Sequence, residues 1–97
     1  MEALDALGNP VRRDILDLLH AQERTVVDLA GHFPISRPAI SRHLKLLHDA
    51  GLVERREEGR TNVYALRPEG FAAVEAYLSR FWDEALVRFR MVVENVE

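Results

Sequence analysis

Apolar positions recur along this chain in two rhythms, and the change of rhythm divides it. Up to residue 50 they recur every three or four residues, the period of a helix with one buried face. Leu4 and Leu7 predict a short first helix over residues 2–7, ending at Gly8. Asn9-Pro10 then reads as an N-cap followed by proline at the first helical position. The second helix runs to about Ala21, with Val11, Ile15, Leu18 and Leu19 on one face. Thr25 and Asp28 stand at capping-box spacing and open a third, short helix carrying Leu29 and Ala30, with Pro34 as its stop. Ser36 caps a fourth helix, Pro38 fits its first turn, and Ile40, Leu44 and Leu47 form its buried face. Gly51 is the expected C-terminal stop.

The rhythm then shortens. Residues 52–56 and 62–66 are short strand candidates, joined by a hairpin loop over Glu57–Thr61 that contains Gly59. From Pro68 a long final helix is predicted, with Phe71, Val74, Leu78, Phe81, Trp82, Ala85, Phe89 and Val92 or Val93 in one stripe. The order α-α-α-α-β-β-α, with a short helix, a tight turn, a second helix and then a hairpin, is the winged helix-turn-helix pattern. The expected fold is therefore mainly α with a β wing. It forms a single domain over 1–97, with the helix-turn-helix at 26–50, the wing at 52–67, and outer helices at 2–8 and 69–95.

Composition narrows the function. The chain contains no cysteine, which removes disulfides, thiolate metal sites and thiol redox switches. No leader pattern precedes the first helix, and no apolar run approaches the roughly 20 residues a membrane span needs, so a cytoplasmic protein is expected. No nucleophile–base pair, phosphate loop or paired catalytic carboxylates stand out, and an enzyme is not expected. The net charge of −3 argues at first against a nucleic-acid partner. Its distribution argues the other way: residues 36–67 hold 7 basic and 4 acidic residues, whereas 1–35 and 68–97 each hold 3 basic and 6 acidic.

The fourth helix gathers that positive charge. At 100° per residue from Ile40, the residues Pro38, Ser41, Arg42 and Lys45 fall on the far side, with Arg37 at its edge. The N-terminal part of the second helix of such a motif enters the major groove. Arginine pairs there with guanine O6 and N7, serine meets base or phosphate, and a proline ring offers an apolar surface to a thymine methyl. The same residues on an isolated helix would be an ordinary solvated face; their place between a short helix and a basic hairpin favours DNA. Arg55, Arg56 and Arg60 flank the hairpin tip, where a wing meets backbone or minor groove, although Glu57 and Glu58 fit a merely solubilising turn. The candidate DNA-binding set is Ser36, Arg37, Pro38, Ser41, Arg42, His43, Lys45, Arg55, Arg56 and Arg60. Arg12 and Arg13 either reach phosphates or sit on a solvated helix end. Of the four histidines, His43 and His48 are five residues apart and share no helix face, so no metal or other cofactor is expected.

The stripe on the final helix is more apolar surface than one small domain covers by itself, and a homodimer would bury it. Leu4, Leu7, Leu78, Phe81, Trp82, Ala85, Leu86 and Phe89 are the expected interface residues.

Several blocks of the sequence together resemble a known family. These are Ala6-Leu7-Gly8-Asn9-Pro10-Val11-Arg12-Arg13-Asp14-Ile15-Leu16, Val27-Asp28-Leu29-Ala30, Ser36-Arg37-Pro38-Ala39-Ile40-Ser41-Arg42-His43-Leu44, Ala50-Gly51-Leu52-Val53, Gly59-Arg60 and Tyr64-Ala65-Leu66. The chain is similar over roughly residues 3–85 to the ArsR family of bacterial repressors. The resemblance implies a homodimer joined through first and last helices, binding a double-stranded operator and repressing nearby genes. Metal-sensing members carry a cysteine pair where this chain has Thr25 and Val27, and others place histidine ligands on the last helix, where no histidine follows His48. The chain looks more like the metal-independent autorepressors. A ligand- or metal-responsive sensor on the same scaffold, and a winged-helix protein-interaction module that binds no DNA, are the alternative readings.

Overall fold

The structure, a computed structural model, describes residues 2–94, apart from the side chains of residues 85 and 86. The first helix, α1 (Ala3–Ala6), is a single turn. Helix α2 (Pro10–Ala21) starts as its sequence demands: the Arg12 N–H donates to Asn9 Oδ1 at 3.1 Å, and Pro10 loses nothing at a position where the N–H has no helical partner. In α3 (Val26–Ala30), the Asp28 N–H donates to Thr25 Oγ1 at 3.1 Å. The Asp28 carboxylate turns instead to Arg24, whose guanidinium donates to it at 2.9 Å. The helix ends earlier than Pro34, at Gly31, whose N–H donates to the carbonyls of Val27 and Asp28.

Helix α4 (Arg37–Asp49) is capped at both ends by the expected residues. The Ala39 N–H donates to Ser36 Oγ at 3.3 Å. At the other end Gly51 takes φ +79°, its N–H donates to His48 O, and the Leu52 N–H donates to Leu47 O, each at 3.0 Å. This is a Schellman closure, with Leu47 and Leu52 both fully buried beneath it.

The sheet has one strand more than expected. Strands β2 (Val53–Glu58) and β3 (Thr61–Leu66) form the predicted hairpin, and β1 (Arg24–Thr25) adds to it antiparallel, pairing Arg24 with Tyr64 and Thr25 with Val63. The order is β1-β3-β2. Two residues carry no alternation to detect; β1 exists because β3 offers it a partner. The strands of the wing are also longer than expected. Glu57 and Glu58 belong to β2, and the loop shrinks to Gly59-Arg60, with Gly59 at φ +61° in the first central position, as a type II′ turn requires.

The predicted final helix is broken near its start. A 3₁₀ turn over Pro68–Phe71 precedes α5 (Ala72–Glu94). Residue 95, the expected end of that helix, lies outside the described residues. At 1.5 Å per residue α5 is about 34 Å long, and it gives the molecule its long axis of 65 Å.

The core lies where α2, α3 and α4 meet the sheet. Ile15, Leu29, Ile40, Leu44, Leu47 and Leu52 are wholly buried there, with Leu16, Leu19, Val53 and Tyr64 nearly so. Because Leu44 is fully enclosed and sits in the middle of α4, Leu44→Ala is expected to cost about 2–5 kcal/mol, measured as a lowered urea midpoint with an unchanged slope. A loss below 1 kcal/mol would mean that α4 is not anchored through this face.

Candidate nucleic-acid interface

Burying Ile40, Leu44 and Leu47 leaves α4 one orientation. Ser36, Arg37, Pro38, Ser41, Arg42 and Lys45 are all exposed on its outer side. Among the described residues, no hydrogen bond or ion pair engages the side chain of Arg37 or Arg42. Lys45 donates to Asp49 at 3.2 Å, an i,i+4 contact between side chains 77% and 45% exposed, weak enough for a phosphate to displace. The surface is thus one of free guanidinium and hydroxyl donors held on a rigid helix.

The wing arginines divide by strand alternation. Arg55 stands opposite Tyr64 and Arg56 opposite Val63, so their side chains leave opposite faces of the sheet. Arg55 and the tip residue Arg60 are exposed and, among the described residues, have no ion-pair partner. Arg56 is engaged. Its guanidinium donates to both carboxylate oxygens of Glu23, at 2.8 and 3.2 Å, and to Glu58 at 2.8 Å. Those carboxylates hold its pKa above the ordinary arginine value, and Arg56 holds that of Glu23 below the usual carboxylate range. The structure therefore does not bring Arg56 together with the other candidates. Glu23 lies 33 positions away in sequence, and nothing in the local pattern points to it.

Arg12 and Arg13 take a third course that the sequence did not suggest. Arg12 Nε donates to Ala6 O and Arg13 Nη1 to Leu7 O, both at 2.7 Å, so the two side chains satisfy carbonyls at the end of α1. Arg12 Nη1 also lies 3.4 Å from His43 Nδ1. Arginine only donates, so a hydrogen bond here requires Nδ1 as acceptor, the role it has in the neutral ring with its proton on Nε2. Partial burial, then the charges of Arg12 and Arg42, push the His43 pKa below 6.5. His43 is half-buried at the edge of the α4 surface, an uncharged neighbour of the cationic groups.

The second surface is apolar. Leu78, Phe81, Trp82 and Phe89 of α5 are exposed, Leu4 is marginally so, and Leu7 packs partly on the core. Ala85 and Leu86, also expected there, have side chains outside the described residues. Tyr77 and Phe81 meet edge to face with ring centroids 5.1 Å apart. Phe71, Val74, Leu78, Phe81 and Trp82 line an open hollow of about 760 Å³. Among the described residues no three His, Asp or Glu side chains come together as a metal site would need, and no helix is long and apolar enough to cross a membrane.

Comparison with known proteins agrees with this geometry. The family profile described as bacterial regulatory protein, arsR family, matches residues 9–55. The HTH-type transcriptional regulator Rv2034 of Mycobacterium tuberculosis is 41% identical over 93 residues, covering 96% of this chain and 87% of its own. A crystal structure of a possible transcriptional regulator for arsenical resistance superposes with a TM-score of 0.80 at 42% identity, covering 100% of this chain and 99% of the other. A homodimeric winged helix-turn-helix DNA-binding domain from Mycobacterium bovis, described as a possible ArsR-family regulator, gives 0.65 at 36% identity, over 82% and 74%. Several further relatives are named as repressors and one as an activator.

The His43 environment makes a pH prediction. A depressed histidine pKa means that the unfolded chain takes up the proton first. The stability held by the neutral ring is fully present above pH 6.5 and is lost as the pH falls from there towards the depressed native value. Imidazole resonances followed by NMR should titrate below 6.5 for His43, and Arg12→Ala should raise that midpoint. A midpoint at or above 6.5 in the parent protein would contradict the arrangement.

Proposed function

The chain belongs to the ArsR family of bacterial regulatory proteins, and from that premise we propose that it is a homodimeric, metal-independent repressor that binds an inverted-repeat operator. DNA-binding transcription regulation and the winged helix-turn-helix fold come with the family; the oligomer, the operator and the sign of regulation are what is proposed. The observation that carries it is the outward face of α4, where Arg37, Ser41 and Arg42 stand exposed beyond a fully buried Ile40–Leu44–Leu47 seam.

Each group has a role in this reading. Arg37 and Arg42 read guanine edges in the major groove, and Ser41 bonds to a base or a phosphate. Lys45 leaves Asp49 for a phosphate and sets register rather than sequence. Arg55 and Arg60 extend the contact along the wing. Arg56, held by Glu23 and Glu58, braces the wing instead of touching DNA. His43, neutral beside Arg12, packs the edge of the helix. Two protomers related by a two-fold axis would place their α4 helices in successive major grooves, with half-sites about one helical turn apart.

Pairing through α5 supports the dimer. Its exposed Leu78, Phe81, Trp82 and Phe89 form the kind of contiguous apolar surface that monomeric domains seldom leave in water, and the related Mycobacterium bovis domain is homodimeric. Metal independence draws support from Thr25, whose hydroxyl is occupied in capping α3, and from the absence of cysteine. Repression draws support from the names of several relatives.

A gel-shift titration against the DNA upstream of its own gene is the direct test. Arg42→Ala and Arg37→Ala are each expected to weaken binding by about 1–3 kcal/mol and to relax base preference at one position per half-site. Lys45→Ala should weaken all sequences alike and lower the salt slope by about one. Unaltered affinity in both arginine variants would remove α4 from the reading role. Trp82→Glu should convert the dimer to a monomer in sedimentation and abolish operator binding; a dimer that survives it places the interface elsewhere.

A further inference from the structure

The turn that ends α4 and the 3₁₀ turn that precedes α5 touch within a protomer. Gly51 closes α4, and the chain that leads into α5 returns to it. The Arg67 N–H donates to Leu52 O at 2.9 Å, and Arg67 Nη1 donates to Gly51 O at 3.4 Å. Gly70 then lies directly against the Gly51 carbonyl. A Cβ on Gly70 would fall far inside van der Waals contact with Gly51 O, 2.6 Å from Gly51 C and 3.3 Å from Leu52 Cα. These are backbone atoms, so no side-chain adjustment relieves the clash. Gly70 does not need glycine for a positive φ; it needs it for room. One residue later Phe71 packs against the core, and the register of α5 follows from there.

We propose that Gly70 is a positioning residue that determines operator spacing. Its bare Cα seats the start of α5 on the Gly51 carbonyl and fixes the angle between the pairing helix and the reading helix. In a dimer joined through α5, that angle sets the separation of the two α4 helices, and so the half-site spacing the protein accepts. The inference rests on the dimeric operator-binding reading above. A side chain at residue 70 pushes α5 away from the end of α4 and swings the two reading faces, while each face keeps its own residues and chemistry.

The test uses duplexes bearing two copies of the preferred half-site, obtained by selection from a random pool with the parent protein. The centre spacing is varied in single base-pair steps. The parent should favour one spacing. Gly70→Ala should remain dimeric and shift or flatten that profile, changing the ratio between the best and neighbouring spacings by about ten-fold. Loss of stability alone would lower binding at every spacing equally, so an unchanged ratio overturns the proposal however much affinity falls. Arg67→Met removes the guanidinium contact to Gly51 O at an exposed position and leaves the glycine in place. It should flatten the profile in the same direction to a smaller extent, and if Gly70→Ala fails to fold, an unchanged profile in Arg67→Met overturns the proposal by itself. Because the chain lacks cysteine, His48→Cys places one spin label per protomer on α4, and pulsed electron resonance reads the distance between the two. That distance should shift or broaden in Gly70→Ala. A monomeric parent, or a selection that yields no preferred sequence, overturns the dimeric operator-binding reading and this proposal together; an unmoved profile in a dimer that binds DNA overturns this proposal only.

Discussion

The outward cationic face of α4 depends on the burial of three side chains. Ile40, Leu44 and Leu47 are wholly enclosed by α2, α3 and the sheet, and a helix with one face fixed has no rotational freedom left for the other. Rotating α4 by a single residue would expose Ile40 and turn Ser41 and the Lys45 ammonium towards the core, at the cost of an unpaired buried charge. The cationic face is thus held outward by hydrophobic burial, and its one ion pair among the described residues, Lys45 with Asp49, lies on the exposed side. This explains why the Arg37 and Arg42 side chains have no ion-pair partner among the described residues: none is needed to aim them.

The acidic net charge and the basic face are consistent for a related reason. Charge acts locally once salt screens it beyond about 8–10 Å, so the carboxylates of the outer segments dilute the field at α4 without cancelling it. Some acidic groups near the surface are already committed: Glu23 and Glu58 neutralise Arg56, and Asp28 neutralises Arg24. These pairs join elements that the fold must hold in register. Arg56 reaches across β3 from β2 to the residue preceding β1, and Arg24 ties β1 to α3. The arginines therefore serve two purposes, and free or paired status, rather than residue type, separates them.

That separation marks the limit of what was legible in the sequence. Elements defined by local chemistry were readable: the caps at Asn9, Thr25, Ser36 and Gly51 form as their residue types require, and the seam of α4 follows from its spacing. The outward face of α4 followed with it. What depends on distant backbone was hidden. Strand β1 is two residues whose partner lies some forty positions on. The extra length of β2 and β3 comes from a two-residue turn that brings Glu58 opposite Thr61, and charged residues such as Glu57 and Glu58 do not read as strand. Arg12 and Arg13 look like any basic helix start, yet their length lets them reach back to the end of α1. Gly70 sits in a sequence that reads as uninterrupted helix, and only the approach of Gly51 explains it.

The same reasoning bears on the length of α5. Within the protomer this helix is held chiefly through the 3₁₀ turn at its start and through α1, while most of its apolar side chains, from Leu78 through Val93, remain in water. An isolated amphipathic helix of this kind gains little from its own propensity; its order has to come from packing. α1 faces a parallel difficulty: one turn of helix has almost no intrinsic stability, and it persists because Arg12 and Arg13 satisfy its carbonyls and Ala6 is buried. Both outer helices thus borrow their order from neighbours, α1 from α2 and α5 from a second copy in the proposed dimer. In the proposed dimer, association and DNA reading would therefore not be independent. The segment ordered by pairing would be the one whose root abuts the end of α4, so whatever loosens the pair would also loosen the placement of one α4 face relative to the other.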